Sequence, residues 1–250
     1  GLPAAAATVG LVETWTALGC VTGIGLAWWF VADGLRRETE ELDALTLPEY
    51  FARRFGAHAN AIRFVATLII IFFYAFYLAA QFNGAGTVLR QTFGIPTFWG
   101  IVIGAVIIVM YTMMGGFIAV AWTDVVQAVI MIGTLVILPV VGLWELAQRD
   151  PSALHSVSST AGSWTGGATG LAAVAAVVSG LSWGFGYAGQ PHTITRFMSI
   201  HHPDAIRVGR RVAVAWALPA FGGAMVIGLV GARLYDVSSL ADTEQLMPMM

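Results

Sequence analysis

Trp183, Tyr187 and Gln190 set an indole, a phenol and an amide among Gly180, Gly184, Gly186, Gly189 and Pro191, inside a run from Pro151 to Thr195 that carries no charge. Glycine and proline weaken a helical hydrogen-bond ladder, and lipid cannot replace the lost bonds. Non-helical backbone survives in a bilayer only where protein encloses it or where it lines a watery cavity, and there it presents carbonyls and helix ends to solutes and cations. Trp183 and Tyr187, four residues apart, fall on one face of the helix that would precede such a break. Glycines at four-residue spacing also let membrane helices approach closely, and both readings stay open. Asp124, in AWTDVVQA, either draws a cation or sits at a helix N-terminus with Thr123 as its cap. Tyr74, Tyr77, Gln81 and Asn83 put polar tips into another apolar run, either lining a pore or packing in a core or interfacial belt. His192, His201 and His202 lack a Cys or carboxylate at diagnostic metal spacing, so no metal site is expected. No nucleophile, phosphate-loop or dinucleotide motif appears, and an enzyme is not expected.

The elements that must hold these groups are hydrophobic helices. The chain of 250 residues is 58% hydrophobic and 10% charged, against about 25% charged in ordinary soluble domains. Apolar runs from Thr14 to Ala32, Phe64 to Leu89, Gln91 to Thr123, Val125 to Trp144, Pro151 to Thr195 and Val212 to Ala232 each reach or approach the roughly 20 residues of a spanning helix. They predict an all-α membrane protein with six crossings. Glu13 marks the outer boundary of the first run and Asp33 its inner end. The single cysteine, Cys20, excludes an internal disulfide. A net charge of -2, with the basic residues confined to membrane flanks, argues against a nucleic-acid partner. Gly1 at the start and the abrupt end at Met250 read as an excerpt of a longer protein.

Orientation follows from the arginines, which supply all 12 basic residues. Arg36, Arg37, Arg53, Arg54 and Arg63 fall between the first two runs, and Arg196, Arg207, Arg210 and Arg211 between the last two. Only Arg90, Arg149 and Arg233 fall on the other side, so segments 33–63 and 196–211 are expected in the cytoplasm of a multi-pass protein of the cell membrane. The 115–123 segment is expected as a further inner loop. Within the first inner segment, LDALTLPEYFARRFG carries a Thr before Leu47 and Pro48 and an arginine pair at its end, which predicts a short surface helix. Residues 149–169, rich in Ser, Thr, Gly and Ala, predict an irregular outer loop.

GLP, ALTLPEYFARRF, FYLAAQFNGAG, YTMMGGFIAVAWTDVVQA, WGFGYAGQPHTITRFM and VGRRVAVAW, in this order and spacing, resemble the sodium/solute symporter family across nearly the whole chain. That resemblance implies a LeuT-like bundle of two inverted five-helix repeats, each with a broken first helix. Residues 1–10 would be the latter half of the first broken helix, and the region around 182–191 its unwound counterpart in the second repeat. Residues 1–250 would then be one incomplete transporter domain: a first repeat lacking its first half-helix, plus two helices of the second. The implied activity is sodium-coupled uptake of a small solute, proline first, with another amino acid, a carboxylate or a vitamin as alternatives and a transporter-like sensor module as a third. By the same resemblance Trp183, Tyr187, Pro191, Tyr77, Gly186 and Gln190 belong to the solute site and Asp124 to sodium access. An indole or phenol face suits a pyrrolidine ring and its secondary ammonium. The family's principal sodium ligands lie outside residues 1–250, so this chain alone is not expected to carry sodium-coupled uptake.

Overall fold

The structure, a computed structural model, describes residues 1–149 and 162–235. It is built from helices: α1 (Leu2–Val9), a 3-10 turn (Gly10–Glu13), α2 (Thr14–Leu26), a π turn (Ala27–Val31), α3 (Ala32–Glu41), α4 (Leu47–Phe55), α5 (Ala59–Phe93), α6 (Thr97–Arg149), α7 (Gly170–Tyr187), α8 (Pro191–Met198) and α9 (Pro203–Leu234). Among the described residues five helical stretches are long and apolar enough to cross a membrane, with 2–41 counted as one.

Six crossings were expected, and the difference lies in α6, which contains both the third and the fourth apolar runs. Its 53 residues would make a rod of about 80 Å, more than twice the hydrocarbon thickness of a bilayer. Gly116, at φ 56° and ψ -148°, leaves the helical region and divides the stretch in two. The inner loop expected over 115–123 is therefore corrected to a single non-helical residue, with 117–123 helical. Glycine alone takes that conformation without steric cost, so one position suffices where several loop residues would otherwise be needed. Gly10, at φ 73° and ψ -141°, ends α1 in the same way.

The helix of the first run continues past Asp33, as α3, to Glu41, with Arg37 paired to Asp33 at 3.0 Å. The expected surface helix forms as α4. Thr46 caps it by accepting from the Glu49 N–H at 3.3 Å, and the Glu49 carboxylate reaches back to accept from the Leu45 N–H at 3.2 Å, a variant of the reciprocal capping box. That backbone bond first, then the bond from Arg53, holds the Glu49 carboxyl below the usual carboxylate range. Of the expected irregular loop at 149–169, residues 162–169 are irregular, Arg149 closes α6, and 150–161 lie outside the described residues.

The chain divides into two compact units. One comprises Trp15–Phe76 and Val177–Leu218. One close crossing in it sets Gly19 and Gly23 of α2 against Gly180 and Gly184 of α7. A Cβ on Gly19 would lie 2.7 Å from the Gly180 carbonyl oxygen, and one on Gly180 would lie 2.6 Å from the Trp15 Cβ. A Cβ on Gly23 would run into the Gly184 backbone, and one on Gly184 would lie 2.5 Å from the Gly19 carbonyl oxygen. Without a hydrophobic drive between helices in lipid, such backbone contact supplies the packing. Ala27, Ala32, Phe197 and Ile206 form a buried cluster in this unit. Trp28 meets Phe197 edge to face at 4.8 Å, and the Arg210 guanidinium lies 4.1 Å from the ring centre of Trp29.

The other unit comprises Gly1–Thr14, Tyr77–Ala176 and Pro219–Met250. There α5 and the start of α6 close at Gly86, whose missing Cβ would sit 2.8 Å from the Thr97 carbonyl oxygen. Gly228 of α9 likewise packs on Pro3 and Ala6 of α1.

Candidate functional site

The helix that enters the site is α7, and it stops at Tyr187 because its continuation meets Gly189 and Pro191. Proline cannot donate to the preceding turn and its ring would clash there. It also pushes the residue before it out of the helical region, and Gln190 is extended at φ -74° and ψ 116°. The Gln190 carbonyl then accepts from the N–H groups of Thr193 at 3.1 Å and Ile194 at 3.0 Å, which makes Gln190 the cap of α8. Pro191 occupies the first position of that helix, where a missing N–H costs nothing. Gly189 donates to the Gly186 carbonyl at 3.1 Å, and the Thr193 hydroxyl to the Gln190 side-chain oxygen at 3.4 Å.

The break is thus three residues long, Ala188 to Gln190, and narrower than the 182–191 segment expected. Gly180 and Gly184 are corrected from unwound backbone to helix–helix packing, because their missing side chains make room for α2. Gly186 is helical too, but a Cβ on it would meet nothing within 4 Å. A helix C-terminus and a helix N-terminus that flank a short break leave carbonyls and N–H groups outside both ladders. The helix dipoles add partial negative charge at the first and partial positive charge at the second. Such a pair of ends suits a zwitterion.

Around the break the side chains divide. Tyr187 is half-buried against Ala27, Ala32, Phe197 and Ile206, together with Trp28, Val31, Leu35 and Ile200. Trp183, one turn earlier, is 64% exposed. His192, just past the break, has its ring 6.2 Å from that of Tyr74. Tyr74 thus lies close to the hinge, and Tyr77, the tyrosine expected at the solute site, is 44% exposed.

Asp124 also lies in the second unit. Its capping reading is corrected, since the helix that contains it begins after Gly116, well upstream. The Thr123 hydroxyl donates to the Val120 carbonyl at 2.8 Å inside that helix. Asp124 is then a half-buried carboxylate inside a long apolar helix, and a charge at membrane depth is costly. Among the described residues no group of three or more His, Cys, Asp or Glu side chains could hold a metal. The rings of His201 and His202 lie 5.8 Å apart.

Residues 1–246 match the model of the sodium:solute symporter family. The chain is 34% identical to the sodium/proline symporter of Escherichia coli, over 94% of this chain and 47% of that protein. It is 34% identical to sodium/proline symporter 2 of Staphylococcus saprophyticus, over 92% of this chain and 45% of that protein. With the high-affinity proline transporter PutP of Bacillus subtilis it shares 31% identity, over 94% of this chain and 50% of that protein. The chain spans about half the length of the curated relatives it matches. No solved structure matches it.

Proposed function

Because the chain belongs to the sodium:solute symporter family, we propose that the protein it represents couples sodium entry to proline uptake across the cell membrane. The observation that carries this reading is the three-residue break between α7 and α8. It places the open ends of two helices beside Tyr187, Gln190, Pro191 and the open face at Gly186. The proline carboxylate is assigned to the N-terminal end of α8, and its secondary ammonium to the α7 carbonyl end and an aromatic face. Trp183 stands exposed one turn from the hinge and supplies such a face. Sodium binding favours the outward-open state, and that state binds proline more tightly, so coupling is a difference in affinity between two conformations. Residues 1–250 are read as an incomplete transporter domain, one repeat without its first half-helix plus two helices of the next, in keeping with relatives about twice as long.

The arginine bias supports cytoplasmic placement of 33–63 and 196–211. These two segments also touch each other: Arg36 donates to the backbone carbonyls of Ile200 and His201, as expected of loops on one side of a membrane.

The test is uptake of labelled proline by the full-length protein in proteoliposomes, with and without an inward sodium gradient, against a panel of unlabelled amino acids, carboxylates and vitamins. Sodium-dependent uptake that unlabelled proline suppresses best is expected. Uptake indifferent to sodium, or suppressed better by another solute, overturns the assignment. Asp124 is assigned to sodium access, so Asp124→Asn is expected to raise the half-saturating sodium concentration about tenfold, roughly 1.4 kcal/mol, at unchanged membrane abundance. An unchanged sodium dependence contradicts that role.

A further inference from the structure

Arg36 is a buried charge in the hinge-bearing unit, 8% exposed on α3. A guanidinium removed from water is tolerated only where its N–H groups find acceptors, and the acceptors here are informative. Nε donates to the Ile200 carbonyl, Nη2 to the His201 carbonyl at 3.3 Å, and Nη1 pairs with Glu40 one turn along α3 at 2.9 Å. Ile200 and His201 follow directly on α8, whose last residue is Met198 and whose cap is Ser199. The C-terminal end of a helix carries partial negative charge that favours a nearby cation, and here the guanidinium also satisfies the carbonyls of the two residues that follow the cap.

The packing beneath this contact is continuous with the hinge. Phe197, in the last turn of α8, is wholly buried against Ala27 and Ala32, and Tyr187, the last residue before the break, packs on the same cluster. The short helix α8 is held at its first turn by the Gln190 cap and at its far end by Arg36.

We infer that Arg36 is a positioning residue for the solute hinge: by holding the C-terminal end of α8 to α3, it fixes where the N-terminal end of α8, with Gln190 and Pro191, stands opposite the end of α7. This rests on the assignment of that hinge to solute binding. Two N–H groups of one rigid guanidinium fork reach two successive carbonyls, a geometry that a compact ammonium does not reproduce.

The experiment uses the full-length protein and two variants, Arg36→Gln and Arg36→Lys, with two readouts. Hydrogen–deuterium exchange is followed at 191–201, and proline uptake is resolved into KM and kcat. Arg36→Gln is expected to speed exchange at 191–201 at least tenfold, with exchange over α6 unchanged, and to raise KM for proline at least fivefold with kcat within a factor of two. Arg36→Lys, which keeps the charge but loses the fork of donors, is expected to fall between wild type and Arg36→Gln on both measures. Unchanged exchange at 191–201 in Arg36→Gln overturns the inference. So does a loss of uptake that follows protein abundance alone at constant KM. If Arg36→Gln does not accumulate in the membrane, Arg36→Lys decides, and wild-type exchange and KM in that variant overturn the inference. A wild-type protein that carries no proline removes the solute assignment, while the exchange measurement still decides whether Arg36 holds α8.

Discussion

Leucine in place of Gly23 is expected to cut the amount of folded transporter in the membrane several-fold and to leave little uptake. A side chain there meets the backbone of Gly184, and not the end of a flexible side chain that could turn away. Overpacking a well-filled core costs about 1–3 kcal/mol and occasionally more. Relief at this crossing requires α2 and α7 to separate along their whole contact, because Gly19 and Gly180 meet in the same way one turn earlier. A change of about 1–2 kcal/mol already alters cellular abundance several-fold. Gly34→Ala is the matched control: its Cβ meets nothing within 4 Å, and alanine favours the helix. Quantified membrane abundance of the two variants in the full-length protein checks the pair. Wild-type abundance of Gly23→Leu would contradict the crossing.

Alanine in place of Trp183 is expected to act on solute affinity alone. The indole is 64% exposed and lies outside the buried cluster, so its removal leaves the packing of the unit intact. Packing an aromatic face on a ring, together with its attraction for a desolvated ammonium, is worth about 1–2 kcal/mol. A tenfold increase in KM for proline, corresponding to about 1.4 kcal/mol, is therefore expected at unchanged abundance. Tyr187→Ala behaves differently, since Tyr187 packs on Ala27, Ala32, Phe197 and Ile206: it is expected to lower abundance as well as affinity, whereas Tyr187→Phe keeps the packing. Uptake kinetics scaled to membrane abundance separate these outcomes. An unchanged KM in Trp183→Ala would remove the indole from the site.

What the sequence made legible depended on how local the physics is. The cap at Thr46 and the proline behind it act within one turn, and α4 forms where they place it. Pro191 likewise marks the start of α8 from its own ring and its effect on Gln190. Gly180 and Gly184 had two readings because their partners, Gly19 and Gly23, are far away in the chain; only the crossing shows that they pack and that the break begins after Tyr187. Gly116 ends a helix in the middle of apolar sequence without a charge to mark it. For that reason the sequence predicts too long an inner loop, and the capping alternative for Asp124 assumes a helix start that lies several residues upstream. Arg36 read as one of several inner-side charges, and its burial on the carbonyls beyond α8 depends on a contact between distant segments.

The central claim is that the opening between Tyr187 and Pro191 receives the solute. It is tested most directly by alkylation of Ala188→Cys in the full-length protein, with its other cysteines replaced, using a hydrophilic thiol reagent in sodium buffer. Ala188 is exposed within the break, so modification is expected, and proline is expected to slow it several-fold, whereas an amino acid that is not transported is expected to leave the rate unchanged. A thiol at 188 that reacts at one rate with and without proline contradicts the claim.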